Sequence, residues 1–299
     1  MDLRQLLYFT TLAETLNFHR AAERLNTSQP PLTVAIRKLE EELGAALFIR
    51  SSRGVTLTSA GEAALEAARA ALAQAGRVRR AVQEGSDGKR GRLHIGFVSS
   101  AIYGLLPTII PAFRRRYPNV DLVLDEASSA DIAPRIRAGT LDIGLVRLPL
   151  LDQGQLEITV VEADELVAAV PPSHPMARRD RLPLSALASD PFILFPRFSV
   201  LQAAILTACR DAGFVPHVTQ EASQVHTILS LVQSGLGVAL VPSNATRYVP
   251  DSVRLLRLER PMRIEIGLVL SPDLASPATR NFRELAQSFL DSESLSRTA

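Results

Sequence analysis

The sequence predicts three parts in order: an all-α N-terminal domain carrying a small β-hairpin (1–58), a long linker helix with a hinge (59–91), and a two-lobed α/β domain (92–299). Three observations predict them. Only Pro30 and Pro31 of the nineteen prolines precede residue 93, so the first third is free to be helical. Nine of the sixteen residues from Ala60 to Ala75 are alanine, the best helix former. Beyond residue 92, short apolar runs of strand type alternate with stretches of helical period, the pattern of βαβ units.

In the first part, Leu6, Phe9, Leu12, Ala13 and Leu16 lie at helical spacing, as do Ala21, Ala22 and Leu25, and then Leu32, Ile36, Leu39 and Leu43. These are three short amphipathic helices. Runs 47–50 and 55–58 flank Ser51-Ser52-Arg53-Gly54 and predict a β-hairpin. From Ser59 to about Glu84 no proline interrupts one long helix, whose apolar face needs a partner and so predicts dimerisation. The polar, glycine-rich segment 85–91 is the hinge. Strand-type runs at 93–98, 120–124, 141–146, 166–170, 192–195 and 238–241 alternate with helices at 105–116, 132–138, 201–212 and 225–233, predicting right-handed crossovers and a mostly parallel sheet. A strand at 264–270 and a helix from Pro277 to about Leu290 close the chain. Two lobes follow: lobe I at 92–162 and 266–299, lobe II at 163–265, with crossings near 161–164 and 264–268.

Composition narrows the function classes. With 46% apolar and 21% charged residues, the chain can build two or more cores. The single cysteine, Cys209, excludes a disulfide framework and a cysteine-built zinc or iron–sulfur site, and suits a reducing compartment. The start lacks a basic segment followed by an apolar run, so a cytoplasmic protein is expected. The charge-free stretch 225–246 is broken by Gly235, Gly237 and Pro242 and reads as helix, turn and strand, with no role for a membrane. The net charge of +2 hides an asymmetry: residues 1–92 carry 14 Lys and Arg against 10 Asp and Glu, the remainder 19 against 21. The N-terminal third is the basic end.

Helices two and three, joined by Asn26-Thr27-Ser28, form a helix-turn-helix whose second helix enters the DNA major groove. With Leu32, Ile36, Leu39 and Leu43 turned inward, the helical wheel points Pro30, Val34 and Arg37 outward, flanked by Gln29, Thr33 and Lys38. Glutamine can pair with adenine, threonine or valine can meet a thymine methyl, and the cations can take phosphate or guanine. An ordinary polar face on a three-helix bundle would show the same helix pattern. Arg50 and Arg53 beside the tight turn tip the balance, since a cationic hairpin can follow the backbone or enter a narrow minor groove. That is a winged helix-turn-helix reading double-stranded DNA.

The residues that carry this reading also carry a family pattern. Phe18-His19-Arg20-Ala21-Ala22-Glu23-Arg24-Leu25, Ser28-Gln29-Pro30-Pro31-Leu32, Ile36-Arg37-Lys38-Leu39-Glu40-Glu41-Glu42-Leu43-Gly44, Leu47-Phe48-Ile49-Arg50 and Leu57-Thr58-Ser59-Ala60-Gly61 closely resemble the LysR-type transcriptional regulators. Weaker similarity continues through Leu105-Leu106-Pro107, Tyr117-Pro118, Gly139-Thr140-Leu141-Asp142, Ala212-Gly213-Phe214 and Gly235-Leu236-Gly237-Val238-Ala239. Val34 departs from the polar or basic residue that family members often carry there. The resemblance implies a dimerising linker helix and an α/β two-lobed effector domain like type 2 periplasmic solute-binding proteins. It also implies a homotetramer on inverted-repeat DNA, with RNA polymerase as a further partner and a small-molecule effector that changes transcription.

Ligands of open parallel sheets sit outside the carboxyl ends of the strands, where helix N-termini favour anions. Ser99-Ser100 and Ser128-Ser129 each follow a strand and precede a helix, as caps alone or as caps that also touch ligand. Arg147 ends the strand at 141–146 and is either a surface arginine or a cation for the same ligand. Phe195-Pro196-Arg197-Phe198 resembles the effector-contacting segment of relatives that respond to aromatic acids or muconate-like diacids; Phe198 suits a wall against a flat ligand or the core. Gln224 and His226 open a helix at the same edge, where a cap or core role is the alternative. The expected effector is therefore an organic acid. No metal-ligand cluster, Walker motif or nucleophile elbow is present, His19, His94, His174, His217 and His226 are scattered, and Gly235-x-Gly237 is too little for a dinucleotide, so neither an enzyme nor a cofactor is expected. The rival reading is an architectural DNA-binding protein indifferent to metabolites, which would protect the same DNA with or without ligand.

Overall fold

The computed structural model describes residues 1–51, 54–84 and 88–298. The chain falls into two compact units, Met1–Gly85 with Arg137–Thr140, and Ser86–Ile136 with Leu141–Ala299.

The first unit opens with α1 (Leu3–Thr15), which starts at a capping box: the Asp2 carboxylate accepts from the Gln5 N–H while the Gln5 amide oxygen accepts from the Asp2 N–H. Asn17 caps α2 (Phe18–Arg24) through bonds from the His19 and Arg20 N–H groups. The turn that follows holds Asn26 at φ 50°, and α3 (Gln29–Leu43) begins with Pro30 and Pro31 in its first turn, where a missing N–H breaks no helical bond. Leu32, Ile36 and Leu39 pack with Phe9, Leu12, Ala21 and Ala22 in one core. Leu43, expected to face inward, is 46% exposed. It shares the angular face of Ile36, but sits in the last turn before the Gly44 cap, where the helix overhangs the core. Strands β1 (Phe48–Ser51) and β2 (Gly54–Leu57) form the expected antiparallel hairpin. The long α4 (Ser59–Glu84) lays Ala64, Leu65, Ala68 and Leu72 on that core, so the chain itself covers part of its apolar face.

The second unit is built on a seven-stranded sheet. In chain order its strands are β3 (Arg90–Phe97), β4 (Asn119–Glu126), β5 (Ile143–Arg147), β6 (Glu157–Val170), β7 (Arg181–Leu182), β10 (Ala239–Pro242) and β11 (Arg254–Leu270), while β8 (Pro191–Leu194) and β9 (His217–Glu221) pair separately. The helices are α5 (Leu105–Arg116), α6 (Ser129–Arg137), α7 (Val200–Asp211), α8 (Val225–Gln233) and α9 (Pro277–Thr298). The expected mostly parallel sheet is corrected to a mixed one in the order β10-β6-β11-β5-β3-β4: β3 is parallel to β4 and β5, but β11 is antiparallel to β5 and β6, and β6 to β10. The reason lies in β6 and β11. They are the two crossings between lobes, they run in opposite directions, and they pair from Arg254 opposite Val170 to Leu270 opposite Glu157.

Each lobe has its own apolar core, and both long strands feed both. Val161 on β6 and Ile266 on β11 belong to the core around Phe113 and Phe282, whereas Leu166 and Ile264 belong to the core around Phe192 and Ile205. The changeover therefore places Glu162 and Asp164 between the cores. Among the described residues no helix is long and apolar enough to cross a membrane.

Candidate functional site

Helix α3 presents two opposite faces. Leu32, Ile36 and Leu39 are fully buried, while Gln29, Pro30, Arg37 and Lys38 are exposed, Thr33 is half-buried and Val34 is 66% exposed. Arg50 is tied back: its guanidinium stacks on the Phe18 ring 4.8 Å from the centroid and lies 3.6 Å from the Glu40 carboxylate. Glu40 also accepts from the Leu47 and Phe48 N–H groups, so one half-buried carboxylate joins α3 to the wing. Arg53 lies outside the described residues.

At the carboxyl edge of the lobe I sheet the structure brings Ser100, Ser129 and Arg147 together. Arg147, weighed above as a surface arginine, is only 4% exposed. Its Nη2 donates to Ser100 Oγ at 2.6 Å, and its backbone N–H donates to Ser129 Oγ at 3.0 Å. Its Nε and Nη1 are buried and have no hydrogen-bond partner among the described residues. Burial pushes the Arg147 guanidinium below its ordinary range, partly offset by the nearby Glu162 and Asp164 carboxylates. Buried donors left unpaired are costly, and a guanidinium fork fits a carboxylate.

The remaining expected residues divide. Helix α5 starts at Leu105 as expected, but Ser99 begins a separate 3-10 turn (Ser99–Tyr103), so the Ser99-Ser100 pair does not cap that helix directly. Ser128 is a cap: its hydroxyl donates to the Asp131 carboxylate at 2.6 Å and accepts from the Asp131 N–H. Phe198 is 94% exposed, which overturns the core alternative. Gln224 donates across the lobes to the Glu126 carboxylate, and His226 is exposed while its backbone bonds the Tyr103 hydroxyl. Burial raises the Tyr103 phenol above its usual range.

The sequence reading missed Glu162, Asp164, Ser243 and Asn244. Asp164 accepts from the Ser243 hydroxyl and the Asn244 N–H. Glu162 bonds Asn244 and the Leu105 backbone, and a Cβ at Gly104 would come within 2.4 Å of its carboxylate. Two acids at i and i+2 inside the apolar run 158–170 were the available signal, because that spacing puts both on one face of a strand. Burial raises the Glu162 carboxyl to about 7, against the lowering pull of Arg147 and with Asp164 adding to the rise. A folded pKa above the unfolded one favours the protonated, low-pH state, so this contribution fades as pH rises through about 7. Between about pH 6 and about pH 8 the wild type should lose about 1 kcal/mol of stability that Glu162→Gln keeps. Urea unfolding at both pH values reads this, and parallel pH slopes would refute it.

The sequence matches the model of the bacterial regulatory helix-turn-helix protein, lysR family, over residues 3–62, and that of the LysR substrate binding domain over residues 86–291. It is 35% identical to the HTH-type transcriptional regulator AlsR of Bacillus subtilis over 285 residues, covering 94% of each chain. It is 37% identical to the HTH-type transcriptional regulator IlvR of Caulobacter vibrioides, covering 95% of this chain and 97% of that one. The fold is similar to full-length CbnR in complex with its target DNA, with a TM-score of 0.77 and 27% identity over 96% of this chain and 99% of the other.

Proposed function

Because the chain belongs to the LysR family of bacterial transcriptional regulators, we propose that its sensing domain takes a small organic carboxylate whose acid group bonds Arg147 at the carboxyl edge of the lobe I sheet. The unpaired, buried Nε and Nη1 of Arg147 carry this reading. Ser100 and Ser129 hold the arginine from two sides, so its geometry is set before ligand arrives. Ser99 and Ser128 border the same edge, and the exposed Phe198, with Gln224 and His226, would wall the body of a planar or unsaturated acid. Binding biases two lobe arrangements, and only a difference in affinity between them can change the DNA-bound state.

The test pairs calorimetry with footprinting on the full chain, using aromatic monocarboxylates and unsaturated diacids as probes. At least one acid should bind and alter the footprint. A footprint indifferent to every acid that binds would return the protein to the architectural class.

On the DNA side, Gln29, Pro30, Thr33, Val34, Arg37 and Lys38 form the base-reading face, Arg50 and Arg53 follow the backbone, and α4 pairs two chains into the half of a tetramer. The Gln29→Ala variant should lose roughly 1 to 3 kcal/mol on an inverted-repeat site and much less on random duplex, since a base contact disappears while phosphate contacts remain. Equal losses on both would reassign Gln29 to backbone positioning.

A further inference from the structure

Lobe II carries a second cationic centre at its end of the long strand β11. The short strand β7 pairs in parallel with β11, setting Arg181 beside Arg257, and the Arg257 N–H donates to the Asp180 carbonyl at 3.0 Å. Around this pairing Arg178, Arg179, Arg181, Arg254 and Arg257 line a depression of about 660 Å³ over Ala177 and Leu256, which are buried. All five arginines are exposed, and none makes a salt bridge with a described residue, not even with Asp180, the one acid in the lining. Arg181 and Arg257, side by side on neighbouring strands, repel each other, and a bound anion would relieve that repulsion.

The loop that brings the arginines in is held firmly. The Ala177 N–H donates to the His174 carbonyl, the Arg179 N–H to the Met176 carbonyl, and the Met176 N–H to His174 Nδ1, while His174 Nε2 pairs with Asp190 at 3.2 Å. Five exposed guanidiniums lining one open depression beside a hydrogen-bonded loop favour a compact ligand with several negative charges. On β6 the partner of Arg257 is Val167 and that of Ile266, which also pairs with Arg147, is Glu162, five positions or about 17 Å apart, which separates this place from the carboxylate site.

We propose that this depression is a second anion site that takes a multiply charged phosphate compound. Five exposed guanidiniums against one carboxylate favour a ligand of three to four charges, which a polyphosphate carries on compact tetrahedral groups.

Calorimetry on the full chain tests it with inorganic tripolyphosphate, ATP, orthophosphate and citrate. Tripolyphosphate should bind the wild type and a variant with two exposed α5 arginines removed, Arg114→Ala/Arg115→Ala, with equal affinity. Arg178→Ala/Arg179→Ala and Arg254→Ala/Arg257→Ala should each weaken it at least about tenfold, and tripolyphosphate should raise the Tm of the wild type but not of these two. Tighter binding of ATP would make a nucleotide the source, and equal binding would make it free polyphosphate. Equal weakening in all three variants, citrate binding as tightly as tripolyphosphate, or no phosphate binding would overturn the proposal. So would a loss of duplex-DNA affinity in the two pocket variants without any tripolyphosphate binding, which would assign the arginines to DNA phosphates.

Discussion

Replacing Arg147 by methionine should abolish the response to the carboxylate effector while leaving DNA binding intact. The guanidinium is buried, so whatever acid it bonds is desolvated with it, and truncating one partner of such a pair costs about 2 to 5 kcal/mol. That is a loss of affinity between roughly thirtyfold and several thousandfold. Methionine fills much of the arginine volume and removes two unpaired buried donors, but it leaves Glu162 and Asp164 without their cation, so the variant should fold with a lowered Tm. Arg147→Lys separates charge from geometry. It keeps a cation near Glu162 and Asp164 but loses the fork that reaches Ser100, so it should bind the acid weakly rather than not at all. Calorimetry with the best acid from the screen, beside footprints of all three proteins, decides the matter. An Arg147→Met protein that binds the acid with wild-type affinity would move the site elsewhere and leave the arginine a structural residue.

How far the sequence was legible depends on the range of each interaction. The first unit is written in local signals: Asp2 with Gln5, Asn17, Pro30-Pro31 and the alanines of α4 act within a turn or two, and the structure uses each of them where it stands. Leu43 failed because a helical wheel records direction but not how far a core extends along the axis. The sheet of the second unit failed in a different way. Strand-type runs at 166–170 and 264–270 were visible, but each is one end of a longer strand, and the antiparallel pairing between positions about a hundred residues apart leaves no local trace. The same pairing decides the candidate sites. Burial of Arg147 comes from β5, the turn after β3, α6, β6 and β11 meeting, and the arginine hollow arises only because β7 is carried back onto β11. Residue type announced the chemistry at Arg147, whereas the five arginines of lobe II carried no sequence signal that set them apart. Only the fold says which arginine is desolvated and which five stand together.

Gly61→Ala should cost the first unit about 3 kcal/mol or more, the larger of the two effects expected from single methyl additions to α4. A Cβ at Gly61 would lie 2.2 Å from the Leu47 carbonyl oxygen and 2.9 Å from Leu57 Cδ2. The oxygen cannot step aside, because it accepts from the Thr58 N–H at 3.0 Å, while Leu47 itself is buried and its N–H donates to Glu40. Nor can the helix start move freely: the Gly61 N–H donates to Thr58 Oγ1, and that hydroxyl donates to the Ala46 carbonyl at 2.7 Å. Relief of the clash must therefore break the junction between α3, the hairpin and α4, and DNA binding should fall with it. Gly76→Ala, in the same helix with nothing within 4 Å of the new methyl, is the control and should gain up to about 1 kcal/mol through helix propensity. Hydrogen exchange at the α1 and α3 amides of the full chain reads both changes. Protection in Gly61→Ala equal to that of the wild type would mean that the hairpin can shift at little cost, and that the close approach of Gly61 to Leu47 does not hold the wing in place.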